Sequence, residues 1–248
     1  MKTARFFVLM IKSNQNEKLK LVRKLRERKH REREGLFATE GEDLLEAGLA
    51  AGAEPRFVLV AAGSGLEGEE VEPSLLADVS TLGSSTRAIA VWPQTWADRP
   101  EAPCFYLHGV GDPGNVGTIV RTVDALVGGS VVLGPECADP YSPKAVRASM
   151  GSLFSQPPVK GDFATTMQPR VAFVPHGGEE IDTLAGAATV CLGAERDGLP
   201  DAVIAQCDRR VTIPLREGGP ESLNVAAAAA IAAQRISSLA MTEARPDA

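Results

Sequence analysis

The sequence predicts an α/β protein in two unequal units, a small mixed unit followed by a larger one built on a mostly parallel sheet. Three observations carry this. From Cys104 onward, short apolar runs alternate with helix-period segments, the pattern of strands joined by crossover helices. Ahead of that stands a shorter region with its own strands and a basic leading segment. Between them "PQTWADRPEAP" (93–103) crowds three prolines into a short stretch and is the best linker candidate. The expected units are therefore 1–95 and 103–248, and 248 residues suffice for two cores.

Each element follows in turn. "MKTARFFVLMIKSNQ" imitates a signal peptide, but its apolar run stops at Lys12 and no small-residue cleavage site follows, so that reading is rejected. Sparse apolar residues amid basic ones from Glu17 to Arg33 predict one basic amphipathic helix. "TEGEDLLEAGLAAGA" (39–53) opens with a capping-type start and ends at glycine, a second helix. "RFVLVAA" reads as a strand, "EPSLLADVS" as a short helix and "TRAIAVWP" as a strand. In the larger unit "CFYLHGV", "GSVVLGP", "VAFVP", "ATVCLGA" and "RRVTIPL" are strands. "GNVGTIVRTVDALV", "SPKAVRASMGSLF", "PDAVIAQC" and the alanine-rich segment after Asn224 are helices.

Charge divides the chain. The net charge of −6 argues against a protein that coats nucleic acid over its whole surface. Lys12–Glu34 is nevertheless dominated by Lys and Arg, so a basic arm serves a polyanion beside an acidic body with another task. The exposed cations of that arm, Lys20, Arg23, Lys24, Arg28 and Arg31 among them, suit a phosphate backbone; a solvated helix face is the competing reading. Cys104, Cys137, Cys191 and Cys207 show no C-x-x-C spacing and no His partners, which predicts free thiols in a reducing cytoplasm and no metal. No apolar run is long enough to span a membrane.

Ligands of such sheets sit beyond the C-terminal strand ends, which directs attention to three loops: Gly109–Gly117, Gly193–Leu199 and Pro214–Asn224. Gly111, Gly114 and Gly117 precede a helix and suit a phosphate cradle, yet their order is neither the dinucleotide nor the Walker pattern. Glu195-Arg196-Asp197 puts three charges at a sheet end, with capping and ion pairing as the plain alternative. Ser222 is placed to cap the last helix and Asn224 to follow inside it. His108 and His176 lie at strand ends near this face and are assigned structural roles.

In joint order, "DPGNVGTIVRT", "LGAERDGL" and "IPL…ESLNVAAAAAI" resemble the three motifs of the SpoU (TrmH-like) branch of the SPOUT RNA methyltransferases, and "DPYSPKAVRASMGSLF" is similar too. The resemblance covers about 104–239 strongly; Lys12–Trp92 is similar, less specifically, to the family's ribosomal-protein-like substrate-binding domain. It implies a trefoil-knotted catalytic domain, an exception to the rule against threaded chains, a homodimer and S-adenosylmethionine as cofactor. It also implies catalytic roles for Asn115, Arg121, Glu195, Ser222 and Asn224, and main-chain cofactor contacts at Gly193, Ile213 and Leu223. Lys144 and Arg147 would join the RNA contacts beside the catalytic loop. The loop Arg216–Glu221 departs from the family pattern in length and charge. The alanine helix would let knot loops and a dimer partner approach closely.

The expected activity is ribose 2′-O-methylation of RNA, with rRNA favoured over tRNA because a separate RNA-binding domain is present. A non-catalytic RNA-binding or ribosome-assembly protein of the same fold is the rival, and a binder has no need of all five catalytic-type residues. A guanidinium is a poor proton acceptor, so Arg121 is expected to grip the hydroxyl and stabilise its developing charge.

Overall fold

The computed structural model describes residues 10–83 and 86–243. The first nine residues of the signal-like segment lie outside them. Contacts divide the chain into two compact units, Met1–Gln94 with Tyr141–Gly151, and Thr95–Pro140 with Ser152–Ala248.

The first unit holds strands β1 (Leu36–Glu40), β2 (Phe57–Ala61), β3 (Glu69–Val71) and β4 (Ala88–Pro93) in the order β1-β4-β2-β3. β4 pairs antiparallel with β1 and β2, and β2 pairs parallel with β3. Ala88–Trp92 is buried throughout, which is why β4 reads as an unbroken apolar run instead of alternating. Helices α1 (Glu17–Lys24), α2 (Arg28–Glu34), α3 (Glu42–Ala50) and α4 (Pro73–Val79) accompany the sheet. Leu19 and Val22 of α1 and Leu76 and Val79 of α4 share a core with Leu59, Ile89 and Val91.

The single basic helix expected over Glu17–Arg33 is two helices. Asn16 caps α1 by accepting the Lys18 N–H. The chain then breaks after Lys24, and the Arg31 guanidinium donates to the Leu25 and Arg26 carbonyls at 2.7 and 2.8 Å. Arg31 is only 3% exposed. Its charge therefore satisfies carbonyls at a helix end, and its expected place facing RNA is corrected to a structural one. The predicted helix over 142–154 is also divided, into α6 (Pro143–Ser149) and α7 (Ser152–Ser155). Met150 and Gly151 adopt left-handed φ of 49° and 97° between them. A Cβ on Gly151 would lie 2.6 Å from the Ala47 Cβ, so only glycine permits that approach. α6 packs against β1, and Tyr141 stacks on Phe37 with centroids 4.8 Å apart.

In the second unit β5 (Cys104–Leu107), β6 (Val131–Leu133), β7 (Val159–Lys160), β8 (Arg170–Phe173), β9 (Glu179–Glu180), β10 (Thr189–Leu192) and β11 (Arg209–Thr212) form one sheet. Their order is β7-β6-β5-β10-β8-β11-β9 and every pairing is parallel. The order matters for function. From β5 the chain moves outward through β6 and β7, yet β10 returns to lie beside β5. Two loops distant in sequence thus leave adjacent strand ends, at the kind of switch point where open parallel sheets hold ligands.

Helices α5 (Pro113–Val127) and α9 (Val225–Glu243) pack against each other, and α8 (Asp201–Ile204) gives Val203 to a core with Tyr106, Val132, Ala172 and Cys191. Ala229, Ala232 and Ala233 are fully buried and Ala226 nearly so. Within the chain, the close neighbour that the alanines serve is α5, whose buried face includes Gly117. Side chains ending at Cβ let two helix axes come near. No described helix is long and apolar enough to cross a membrane.

Candidate functional site

The first loop leaves β5 beside β10, where the His108 N–H donates to the Leu192 carbonyl at 2.9 Å. Gly109 turns with φ 68°, and a Cβ there would come within 3.2 Å of the Ala194 Cβ. Asp112 then caps α5, its carboxylate accepting from the N–H groups of Gly114 (2.6 Å) and Asn115 (3.1 Å), with Pro113 at the first helical position. This corrects the phosphate-cradle reading of Gly111, Gly114 and Gly117. The free N–H groups that an anion would need are already taken by a carboxylate. The Asp-Pro pair in the sequence was the signal for it.

The second loop is a tight hairpin after β10. Ala194 and Gly198 exchange two backbone hydrogen bonds, at 3.2 and 3.0 Å. Gly193 lies so near the returning strand that a Cβ would fall 2.0 Å from the Gly198 carbonyl carbon. The hairpin lifts Glu195 over the sheet end.

There the loops meet. The Asn115 amide donates to Glu195 Oε1 at 2.6 Å and accepts from Asn224 Nδ2 at 3.1 Å. The Asn224 Oδ1 in turn accepts the N–H groups of Ala226 and Ala227 at 2.9 and 3.3 Å. Asn224 is thus the cap of α9, a role expected of Ser222. Ser222 is exposed on the loop before it.

Beside this chain opens a cavity of about 490 Å³, a size typical of small-molecule sites. Gly193, Ile213 and Leu223 all line it, as do Glu195 and Ser222. Its wall also includes Phe173, Pro175 and His176, and Ala228 of the alanine helix. At Gly193, among the residues lining the cavity, backbone packs directly on the Gly198–Leu199 backbone with no room for a side chain. On β5 and the residue after it, the Tyr106 hydroxyl meets His108 Nδ1 at 3.0 Å, and burial pushes the Tyr106 phenol up to about 12.

Arg121 is placed apart from the others. It is exposed, makes no hydrogen bond or ion pair with described residues, and does not line the cavity. Six residues beyond Asn115 it leaves α5 about 9 Å further along and turned by about 240°.

In the first unit Lys20, Arg23, Lys24 and Arg28 are wholly or partly exposed, and so are Lys144 and Arg147 of α6, which belongs to the same unit. Lys20 pairs with Glu17 and Arg28 with Glu32, both within 3 Å and open to solvent, where such pairs contribute little. The Arg23 guanidinium donates to the Asn14 carbonyl at 2.9 Å, and Arg147 reaches Thr81 Oγ1 at 3.4 Å.

Residues 103–234 match the SpoU rRNA Methylase family, and residues 16–91 match the MRM3-like substrate binding domain. A tRNA/rRNA methyltransferase of Synechocystis sp., itself described as uncharacterized, is 31% identical over 90% of this chain and 92% of its own. The 23S rRNA (guanosine(2553)-2′-O)-methyltransferase RlmP of Bacillus subtilis is 29% identical over 89% of this chain and 96% of its own. The crystal structure of an AdoMet-bound rRNA methyltransferase from Sinorhizobium meliloti superposes with a TM-score of 0.80 at 26% identity, covering 91% of this chain and 96% of that one. The match spans more than half the chain and contains all three loops that meet through the Asn115 hydrogen bonds, and this chain belongs to the SpoU rRNA methylase family.

Proposed function

We propose that this protein transfers a methyl group from S-adenosylmethionine to a ribose 2′-hydroxyl of ribosomal RNA. One observation carries the reading: Glu195, Asn115 and Asn224, from three separate loops, are hydrogen-bonded in series beside a cavity rimmed by Gly193, Ile213 and Leu223. The B. subtilis relative is a 23S rRNA 2′-O-methyltransferase, which favours rRNA over tRNA.

S-adenosylmethionine supplies an electrophilic methyl on a positively charged sulfur. The residues of this chain do the remaining work. Gly193, Ile213 and Leu223 hold the cofactor through main-chain groups. Asn115, locked by Glu195 on one side and Asn224 on the other, fixes the mutual position of the loops around the reacting atoms. Ser222, on the loop that ends at Asn224, faces the same cavity and orients the ribose. Arg121 grips the 2′-hydroxyl and stabilises the negative charge that develops on its oxygen. A guanidinium is a poor proton acceptor, so the proton of the 2′-hydroxyl passes to water or an RNA phosphate oxygen as the oxygen–methyl bond forms and the methyl–sulfur bond breaks.

Arg121 is exposed and does not line its own cavity, so the site is completed in a homodimer, in which Arg121 of the partner subunit reaches the acceptor ribose. The exposed Thr118 and Arg121 on α5 and Ala227 and Ile231 on α9 supply a surface for that pairing. Residues 103–248 form the catalytic domain with the family's trefoil knot, and 1–95 the RNA substrate-binding domain, working in the cytoplasm. Lys20, Arg23, Lys24, Arg28, Lys144 and Arg147 contact phosphates, which makes RNA binding salt-dependent.

The test is transfer of a labelled methyl from S-adenosylmethionine to rRNA from cells lacking the gene, followed by mapping of alkali-resistant linkages. One or a few resistant sites are expected. Binding of RNA with no transfer would favour the non-catalytic reading, and label on a base would contradict the ribose assignment.

A further inference from the structure

The segment after β8, Val174–Gly178, is pinned to β11 at both ends by one side chain. The Thr212 hydroxyl donates to the Val174 carbonyl at 3.1 Å and accepts the Gly178 N–H at 2.9 Å. The Val174 N–H adds a bond to the Val211 carbonyl at 3.0 Å. Gly178 is pressed so close that a Cβ would fall 2.6 Å from the Val211 carbonyl carbon and 2.7 Å from both Thr212 N and Oγ1. Between the two pins, Val174, Pro175 and His176 form one wall of the cavity, and Ile213, the residue after Thr212, forms the adjoining wall.

We propose that Thr212 is a positioning residue for cofactor binding, its hydroxyl holding the Val174–His176 wall in register with Ile213. The inference rests on the cofactor reading given above and goes beyond it. Strand pairing alone does not require this hydroxyl, because valine fits a half-buried β-strand position equally well. A loop fixed before the ligand arrives spares the entropy of ordering it during binding, and a loop released from its pins restores that cost. Thr212 is not among the residues lining the cavity, so its influence falls on cofactor affinity and not on the transfer step.

The experiment is calorimetric titration of S-adenosylmethionine and its demethylated product into the full-length protein, with kcat measured at saturating cofactor. Thr212→Val keeps the shape and loses both bonds; Thr212→Ser keeps the hydroxyl. Gly178→Ala keeps the hydroxyl and forces the segment off β11. Thr212→Val and Gly178→Ala are expected to weaken both ligands about tenfold, the size of one or two hydrogen bonds, with kcat within about twofold of the parent. Thr212→Ser is expected to bind as the parent does. If Thr212→Val fails to fold, Gly178→Ala decides by the same criterion. Parent-like affinity in Thr212→Val or Gly178→Ala overturns the proposal, as does Thr212→Ser binding as weakly as Thr212→Val. A parent protein that binds no S-adenosylmethionine is a different result: it removes the cofactor reading itself.

Discussion

The Asn115 side chain uses both ends of its amide, donating to Glu195 at 2.6 Å and accepting from Asn224 at 3.1 Å. The two contacts together fix which end is oxygen, because Glu195 can only accept when ionised. Asn115→Ala severs both. Its loss of kcat/KM for methyl transfer is expected at about a hundredfold, the scale of an ångström-sized misplacement of reacting groups. Asn224 carries a second job as cap of α9. Asn224→Ala should therefore lose about 1 kcal/mol of stability as well as activity, whereas Asn224→Ser keeps the cap and loses activity alone. Urea unfolding beside steady-state kinetics separates the two. Equal destabilisation by Ser and Ala contradicts the capping account.

Arg121 supplies a sharper contrast. Arg121→Ala is expected to bind S-adenosylmethionine as the parent does while transfer falls by about a hundredfold or more, the effect of removing one charge-stabilising donor. Mixed with Asn115→Ala protein under exchanging conditions, it should regain about a quarter of parental activity, because half the dimers are hybrids and each hybrid has one intact site. An Arg121 that serves its own subunit gives no recovery.

In the first unit, two neighbouring cations behave oppositely. Arg31→Met leaves the Leu25 and Arg26 carbonyls unpaired, and a loss of roughly 2–4 kcal/mol is expected in denaturant unfolding. Lys24 is exposed, and Lys24→Ala should leave stability unchanged while lowering the salt dependence of RNA binding by about one ion. Arg31→Met of parental stability contradicts the buried role.

Tyr106 gives a pH signature. Burial raises its folded value to about 12, while an unfolded tyrosine ionises near about 10. The unfolded chain therefore loses its proton first. The stability this difference contributes is complete below pH of about 10 and drains away as pH climbs towards about 12. The parent should lose stability relative to Tyr106→Phe between about pH 9.5 and pH 11.5 in urea titrations. Parallel pH responses of the two proteins count against it.

Much of this arrangement is legible in the residues. Strand runs such as Cys104–Leu107 and Thr189–Leu192, buried on both faces, announce themselves as unbroken apolar stretches, and the spacing of helices between them dictates a parallel sheet. The convergence of Asn115, Glu195 and Asn224 was readable only through family resemblance, because it depends on β10 returning beside β5. Other features were hidden for physical reasons. Arg31 looks like its exposed neighbours, and only the broken helix turns it inward. Ser222 and Asn224 are both good caps two residues apart, and the bond from Asn224 to Asn115 fixes where α9 starts. The break at Met150 is silent because methionine seldom adopts a left-handed φ. Thr212 sits in a strand where threonine is unremarkable, so its hydroxyl bridge left no mark on the pattern.

The convergence of three loops on one methyl donor is tested most directly by a crystal structure of the protein with S-adenosylmethionine. The ligand is expected in the cavity rimmed by Gly193, Ile213 and Leu223, held by their main-chain groups, with the Glu195–Asn115–Asn224 chain intact beside it. S-adenosylmethionine bound elsewhere, or a cavity that stays free of it at saturating concentration, contradicts the account.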